Sequence, residues 1–370
     1  MNKIVLHIGL HKTATKYLQH HAFPFLDKSK FLYNPEKLDQ YVLDYLKAFG
    51  NDKKEILPKV VEERERLQKE NPNKTIILSR EAYSGNLFSA YKYWDESIAL
   101  LKQCFPEAKI IMAFRYQTDW LLSCYRESIH EHHYQSVEDF LCFSEDTKSF
   151  YKPTSSRNQN GYAQLYALNL DYGKMITTIY ENFERDEVLT YFYEDFKENK
   201  GEILSNIEHF IGSEKISTKE SIGIPNRGYS ALTINLSIER AKLLQENDLR
   251  DNLHRPIFFY GKNSIPAGKE KHSLLDKDVY WGKHYLRDNE EVRSINYPDR
   301  NEQELIKYHS SWRYISKELI DKNSYIDWDI LKDLRNILDE YYKIFNAKLI
   351  KIYTNIEFPS LYVNKNKKSI

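Results

Sequence analysis

The chain has only three cysteines in 370 residues. Cys104, Cys124 and Cys142 are scattered, odd in number and show no C-x-x-C spacing, which argues against a disulfide framework and suits a reducing cytosol. Net charge is also missing, since Lys plus Arg and Asp plus Glu number 54 each. Bulk electrostatics therefore direct the chain neither to nucleic acid nor to a membrane surface, and any anion site must be a local arrangement of donors. No long uncharged apolar run exists that could span a bilayer. The first strand begins by residue 4, leaving no length for a signal peptide ahead of it, and the expectation is a cytoplasmic protein. Internal repeats and low-complexity linkers are absent. One elaborated domain over 1–370 is expected, with an α/β core in 1–240 and a mainly helical, aromatic-rich extension in 241–370.

What is plentiful is tyrosine, at 29 residues. This fits either a compositional bias towards Tyr, Lys, Asn and Ile or an aromatic sugar-binding wall. Trp281, Tyr285, Tyr297 and Trp312 could form such a wall or the core of a helical cap.

Along the chain, apolar runs predict strands over 3–9, 75–79 (TIILS), 109–115 (KIIMAFR) and 188–193 (VLTYFY). Between and after them, 3.6-residue periodicity predicts helices. One covers 14–26 up to Pro24, followed by a lysine-rich helical region. Others lie in AYKYWDESIALLKQCF, in WLLSCYRESIHEHH, over GYAQLYALNLDYGKMITTIYENF as one long helix, and from Asp195 to about Ile211. Two more are expected near 302–322 and 329–347. This alternation predicts a mostly parallel sheet covered by helices, with ligands at the carboxyl ends of its strands. Gly9, Ser79, Arg115 and Tyr193 fall at those ends.

The stretch KIVLHIGLHKTATKYLQHH runs from strand through Gly9 into a helix. A turn of this kind aims free N–H groups and the positive end of a helix dipole at an anion. Lys12 adds a mobile cation, and Thr13 and Thr15 add hydroxyls. The G-x-x-x-x-G-K-[ST] spacing is missing, because Lys12 follows Gly9 by three residues and Ala14 stands five after it; ATP or GTP held in the Walker manner is not expected. In FRYQTDWLLSCY, Arg115 ends a strand, and Ser123 would lie about one turn inside a helix starting near 118 or 119. A forked guanidinium and a hydroxyl could then meet on one phosphate.

These segments resemble the sulfotransferases that use 3′-phosphoadenosine-5′-phosphosulfate, in particular bacterial, carbohydrate-sulfotransferase-like members with a P-loop-related fold. GLHKTATKYLQ is similar to that family's 5′-phosphosulfate loop, and FRYQTDWLLSCY to its 3′-phosphate segment, with Arg115 and Ser123 at the matching positions. VLTYFYEDF resembles the late strand that ends in an acidic pair, here Glu194 and Asp195. NRGYS, with Asn226, Arg227 and Gly228, resembles a late basic loop reaching the 3′-phosphate. The resemblance covers roughly 3–240.

It implies transfer of a sulfuryl group to a hydroxyl or amine of a small-molecule or glycan acceptor such as a glycolipid precursor, without a metal and with 3′-phosphoadenosine 5′-phosphate as product. The nucleotide would be held by Gly9, Lys12, Thr13, Ala14, Thr15, Lys16, Arg115, Ser123, Tyr193, Arg227 and Gly228. Lys12 would also steady the transferring group. Two residues of the loop depart from the family, which usually has glycine where Ala14 stands and often a hydroxyl residue where Lys16 stands. Ala14 is expected at negative φ, as in any helix first turn. Glu81, just past TIILS, is the first candidate for general base, against the alternatives of a helix cap or a partner for Arg80; His11 is the second. The dense histidines of HEHH, His130, His132 and His133, have no partner cluster and read as a surface helix end. Two rival functions remain: a nucleotide-dependent kinase with a divergent loop, which needs a Mg²⁺-holding carboxylate, and a non-catalytic nucleotide-binding platform.

Overall fold

The computed structural model describes residues 3–131, 133–216 and 333–352, together with 234, 238, 242, 330, 331, 358, 359 and 362. The expected helix at 302–322, the loop of Asn226, Arg227 and Gly228, the aromatic residues 281–312 and His132 lie outside the described residues. The chain packs as two compact units. One takes in residues 1–120, 167–222 and 337–370 and the other includes 121–166.

The first unit is built on a five-stranded, all-parallel sheet in the order β2-β3-β1-β4-β7, flanked by helices. The strands are β1 (Ile4–His7), β2 (Phe31–Tyr33), β3 (Thr75–Ser79), β4 (Lys109–Phe114) and β7 (Val188–Phe192). β1 is central and all four of its residues are buried. Its register sets Val5 opposite both Ile77 and Lys109. A strand buried on both faces is apolar over most of its length, hence the near-continuous runs of β1, β3 and β4. Chain order reverses around β1, since β3 lies on one side of it and β4 on the other. That makes the ends of β1, β3 and β4 the crevice where an open α/β sheet takes its ligand.

Helical turns follow β1 as α1 (Thr15–Tyr17), a wider π turn over Leu18–Ala22 and a 3-10 turn over Phe23–Phe25 that begins at Pro24's neighbour. The remaining helices of this unit are α2 (Glu36–Lys47), α3 (Asn51–Glu70), α4 (Trp94–Cys104), α7 (Tyr172–Asn182), α8 (Tyr193–Glu198), α9 (Lys200–Ile211) and the C-terminal helix ending at Ile352. The helix expected at 329–347 is this last one, running Asp333–Ile352.

The structure corrects four expectations. β2 replaces part of the lysine-rich helical region; it is a three-residue edge strand closed by Asn34 at φ 41°, too short for periodicity to reveal. The helix expected from Ala90 starts only at Trp94, because Ala90 and Tyr91 take left-handed φ of 46° and 57°. The long helix over 161–183 shrinks to α7. Asp171 accepts from Lys174 N at 3.0 Å and so caps α7, while the amides of Gln164 and Leu165 bond to Ser156 and Phe140 rather than to a preceding helical turn. The helix from Asp195 divides at Asn199, whose ψ of 50° is not helical.

In the second unit, α5 (Gln117–His130, its first residues in the first unit) leads to α6 (Val137–Leu141), which is capped by Ser136. A short antiparallel pair follows, β5 (Phe143–Ser144) with β6 (Ser149–Phe150). Tyr125 donates to the Gln135 carbonyl and Gln135 to that of Ala163, tying helix to loop.

Cys104, Cys124 and Cys142 are all buried. Among the described residues no helix is long and apolar enough to cross a membrane. Leu6 is fully buried in the central strand, so Leu6→Ala is expected to lower unfolding free energy by about 2–5 kcal/mol. Ile344, 65% exposed, should change stability by under about 0.5 kcal/mol when replaced by alanine; urea denaturation compares the two.

Candidate functional site

Gly9 begins the loop because nothing larger fits. A Cβ there would lie 2.8 Å from Thr15 Oγ1 and 3.0 Å from His7 Nε2, inside contact distance. Beyond it the backbone alternates in hand: Lys12 has φ 68° and Ala14 φ 63°. Such alternation turns successive N–H groups towards a common concavity, an anion nest. Ala14 is the N-cap of α1, and the N–H groups of Ala14, Thr15 and Lys16 have no intrahelical acceptor at that end. The expectation of negative φ at Ala14 is therefore overturned. The helical first turn starts one residue later, and Ala14 takes the left-handed conformation for which glycine is the natural choice.

The hydroxyls of the loop turn inward. Thr13 and Thr15, both buried, donate to the Leu10 carbonyl at 2.6 and 3.1 Å. They brace the loop from beneath, leaving its backbone amides and Lys12 to present charge. Lys12 is half-buried and Lys16 exposed.

Arg115 leaves the end of β4 and donates from Nη1 to the Lys12 carbonyl at 3.0 Å. Its guanidinium carbon sits 4.5 Å from the centre of the Tyr193 ring, a cation–π contact at the end of β7. Arg115 Nε is buried and has no hydrogen-bond partner among the described residues. Four sequence-predicted residues, Gly9, Lys12, Arg115 and Tyr193, are thus joined through one loop and one cation. Glu194, next to Tyr193, accepts from Tyr116 N at 2.9 Å, and burial raises its carboxyl pKa against the opposing effect of Arg115. Ser123 stands half-buried in the second turn of α5, which starts at Gln117.

His11 is held at both backbone faces. Its N–H donates to the Tyr91 hydroxyl at 2.8 Å and its carbonyl accepts from Trp120 Nε1 at 2.8 Å. Its Nδ1 lies 3.1 Å from the same Tyr91 hydroxyl, with the two rings stacked. Neither Tyr91 nor Trp120 was singled out by sequence. A tyrosine in a run that reads as helix carries no sign of the left-handed turn that delivers its hydroxyl to the loop. Glu81 opens a 3-10 turn over Glu81–Ser84 directly after β3. The turn touches the loop, with Ser84 Oγ 3.4 Å from the Gly9 carbonyl. Arg80 engages Asp39 Oδ2 through Nε and Nη2 at 2.8 and 2.6 Å, and Tyr83 donates to Asp39 Oδ1 at 2.5 Å. The residues on either side of Glu81 are thereby anchored to one buried carboxylate.

Below the loop, His7 Nδ1 lies 2.6 Å from Ser79 Oγ, and His7 Nε2 is buried without a partner among the described residues. Burial lowers the imidazole pKa from 6.5 to about 3. Of the HEHH histidines, His133 packs against the Tyr162 ring, and burial lowers its pKa with Arg157 adding to the effect. Among the described residues no group of three or more His, Cys, Asp or Glu could hold a metal ion.

Two outcomes follow from the loop and its floor. Ala14→Gly relieves a left-handed alanine and is expected to raise stability by about 0.5–1 kcal/mol, seen as a higher denaturant midpoint at unchanged slope. As for His7, the unfolded chain takes up a proton near pH 6.5 that the folded state refuses until about pH 3. Stability is therefore lost as pH falls through that window, by up to about 1.4 kcal/mol per unit. His7→Gln should flatten the profile between pH 6.5 and 4 in urea titrations at stepped pH.

No protein-family model matches the chain, and no curated protein matches it. Among solved structures, it is similar to the crystal structure of a sulfotransferase from Alicyclobacillus acidocaldarius, at a TM-score of 0.39 and 14% identity, over 69% of this chain and 96% of that one.

Proposed function

We propose that the protein is a sulfotransferase that moves a sulfuryl group from 3′-phosphoadenosine-5′-phosphosulfate to a hydroxyl or amine, with a glycan or glycolipid precursor as the acceptor class. The observation that carries this reading is the joint between the loop and Arg115. A nest of backbone amides after β1 and a guanidinium at the end of β4 are tied at 3.0 Å, so two anion-binding elements face one crevice. The fit is supported by the buried Nε of Arg115, which has no hydrogen-bond partner among the described residues. ATP carries no 3′-phosphate for that second element to read.

In this reading the amides of 14–16 and Lys12 hold the 5′-phosphate end, and Arg115, stacked on Tyr193, holds the 3′-phosphate. The acceptor oxygen attacks sulfur in line, the bond from sulfur to the 5′-phosphate oxygen breaks, and adenosine 3′,5′-bisphosphate leaves. The acceptor proton passes to Glu81, which the Asp39 anchor and Ser84 keep beside the loop; His11 is the other group in place for that role. Lys12 neutralises charge developing on the leaving oxygen. Positioning and preorganised electrostatics supply the acceleration, as in phosphoryl transfer.

Calorimetric titration with 3′-phosphoadenosine 5′-phosphate beside ADP and ATP tests the donor site. The bisphosphate should bind preferentially, and Arg115→Ala should weaken it about 10–100-fold, the worth of a charged hydrogen bond. Preference for ATP with Mg²⁺ would overturn the reading in favour of a kinase. For the chemistry, Glu81→Gln should lower kcat by about 10²–10⁴ with bisphosphate affinity unchanged, followed by transfer of radioactive sulfate from the donor to a mixed glycan acceptor. An unaltered kcat would remove Glu81 from the role.

A further inference from the structure

The turn that presents Arg115 is fastened by a part of the chain more than two hundred residues away. Asp339, on the C-terminal helix, accepts at one oxygen from two hydroxyls, Tyr116 at 2.7 Å and Thr118 at 2.5 Å. Each hydroxyl has a single proton to give, and one carboxylate oxygen with two lone pairs accepts both. Nearly two turns further along the helix, Asn346 Oδ1 accepts from Gln117 Nε2 at 2.6 Å, with both side chains buried. Beyond the helix, the buried Tyr362 packs edge-on against Tyr116, with ring centroids 5.6 Å apart, and reaches Glu194, which holds the Tyr116 amide. Three consecutive residues after Arg115 are thus each bonded to the C-terminal segment. On the other side of Arg115, Tyr172 donates to its carbonyl at 2.6 Å.

We propose that Asp339 is a positioning residue of the nucleotide site. By pinning Tyr116 and Thr118 it fixes the exit of the chain from β4, and hence the direction in which the Arg115 guanidinium meets the loop and the ligand. The C-terminal helix is in this sense part of the site without touching the ligand. The inference rests on the reading that Arg115 binds the nucleotide, but the fastening itself can be read without ligand.

Two measurements on the full chain decide it. Amide hydrogen exchange across 115–118 reports the fastening alone. Asp339→Ala should speed exchange of the Tyr116 amide at least tenfold while strand 4–7 stays protected, and Asp339→Asn, which keeps an acceptor oxygen, should restore most of the protection. Titration with 3′-phosphoadenosine 5′-phosphate reports the consequence. Affinity should fall tenfold or more in Asp339→Ala, recover to within about threefold in Asp339→Asn, and fall no further when Asp339→Ala is added to Arg115→Ala. Unchanged exchange in Asp339→Ala, or losses that simply add in the double variant, would overturn the proposal. If the wild type binds no bisphosphate, the nucleotide reading fails, and the exchange result still decides whether Asp339 holds the turn. Should the alanine variant not fold, Thr118→Val removes one of the two bonds and is expected to show both effects at smaller size; wild-type behaviour in that variant would count against the proposal.

Discussion

The carboxyl end of this sheet depends on how one backbone carbonyl is turned. Lys12 is left-handed, and its carbonyl accepts from Arg115 across the crevice between β1 and β4. Among the described residues, the loop's amides and Arg115 meet at that bond. It sets the loop's amides on one side and a guanidinium on the other. A left-handed residue that is not glycine costs on the order of 1–2 kcal/mol, and the loop contains two of them. Such strain persists only where neighbours over-determine the conformation. Here they do so through the Leu10 carbonyl bonded to two threonines, Tyr91 and Trp120 at His11, and Arg115 itself.

The supports of the site are distributed widely along the chain. Asp39 on α2 anchors the residues flanking Glu81, and Ser79 of β3 meets His7 of β1 under the loop. A parallel sheet makes this possible, because its crossovers return every strand to the same edge and collect remote residues there. His7 shows the electrical side of the same construction. An imidazole enclosed beneath Gly9 stays neutral, so the floor of the loop adds no charge of its own, and the positive field comes from Lys12, Arg115 and the backbone.

Particular residues show how much of this was legible beforehand. Apolar runs marked β1, β3 and β4 because strands buried on both faces are mostly apolar, and β7 because its run VLTYF is largely apolar as well. The glycine after β1 and the arginine after β4 were visible as types at strand ends. β2 was not, since three residues carry no period. Nor were the helix breaks at Tyr91 and Asn199, because neither residue announces its backbone angles. Ala14 was misread for a related reason: the pattern located the helix but not its first residue, and a shift of one position changes the sign of φ. Tyr91, Trp120, Asp39 and Asp339 are ordinary by type, and only their partners give them a part in the site.

By itself, then, the sequence determined an α/β chain with a mostly parallel sheet, the places of four of its strands along the chain, and the two strand ends that carry anion-binding residue types. These follow from local chemistry: burial demands apolar runs, and turns into helices demand small residues and hydroxyls. Tertiary structure alone decided that Arg115 closes on the carbonyl of Lys12, that the threonine hydroxyls face inward, that Tyr193 lies under the guanidinium, and that a helix from the far end of the chain holds the turn beside it. Those are contacts between residues distant in sequence, and their geometry is fixed by packing and by the need of each buried polar group for a partner, which no local pattern encodes.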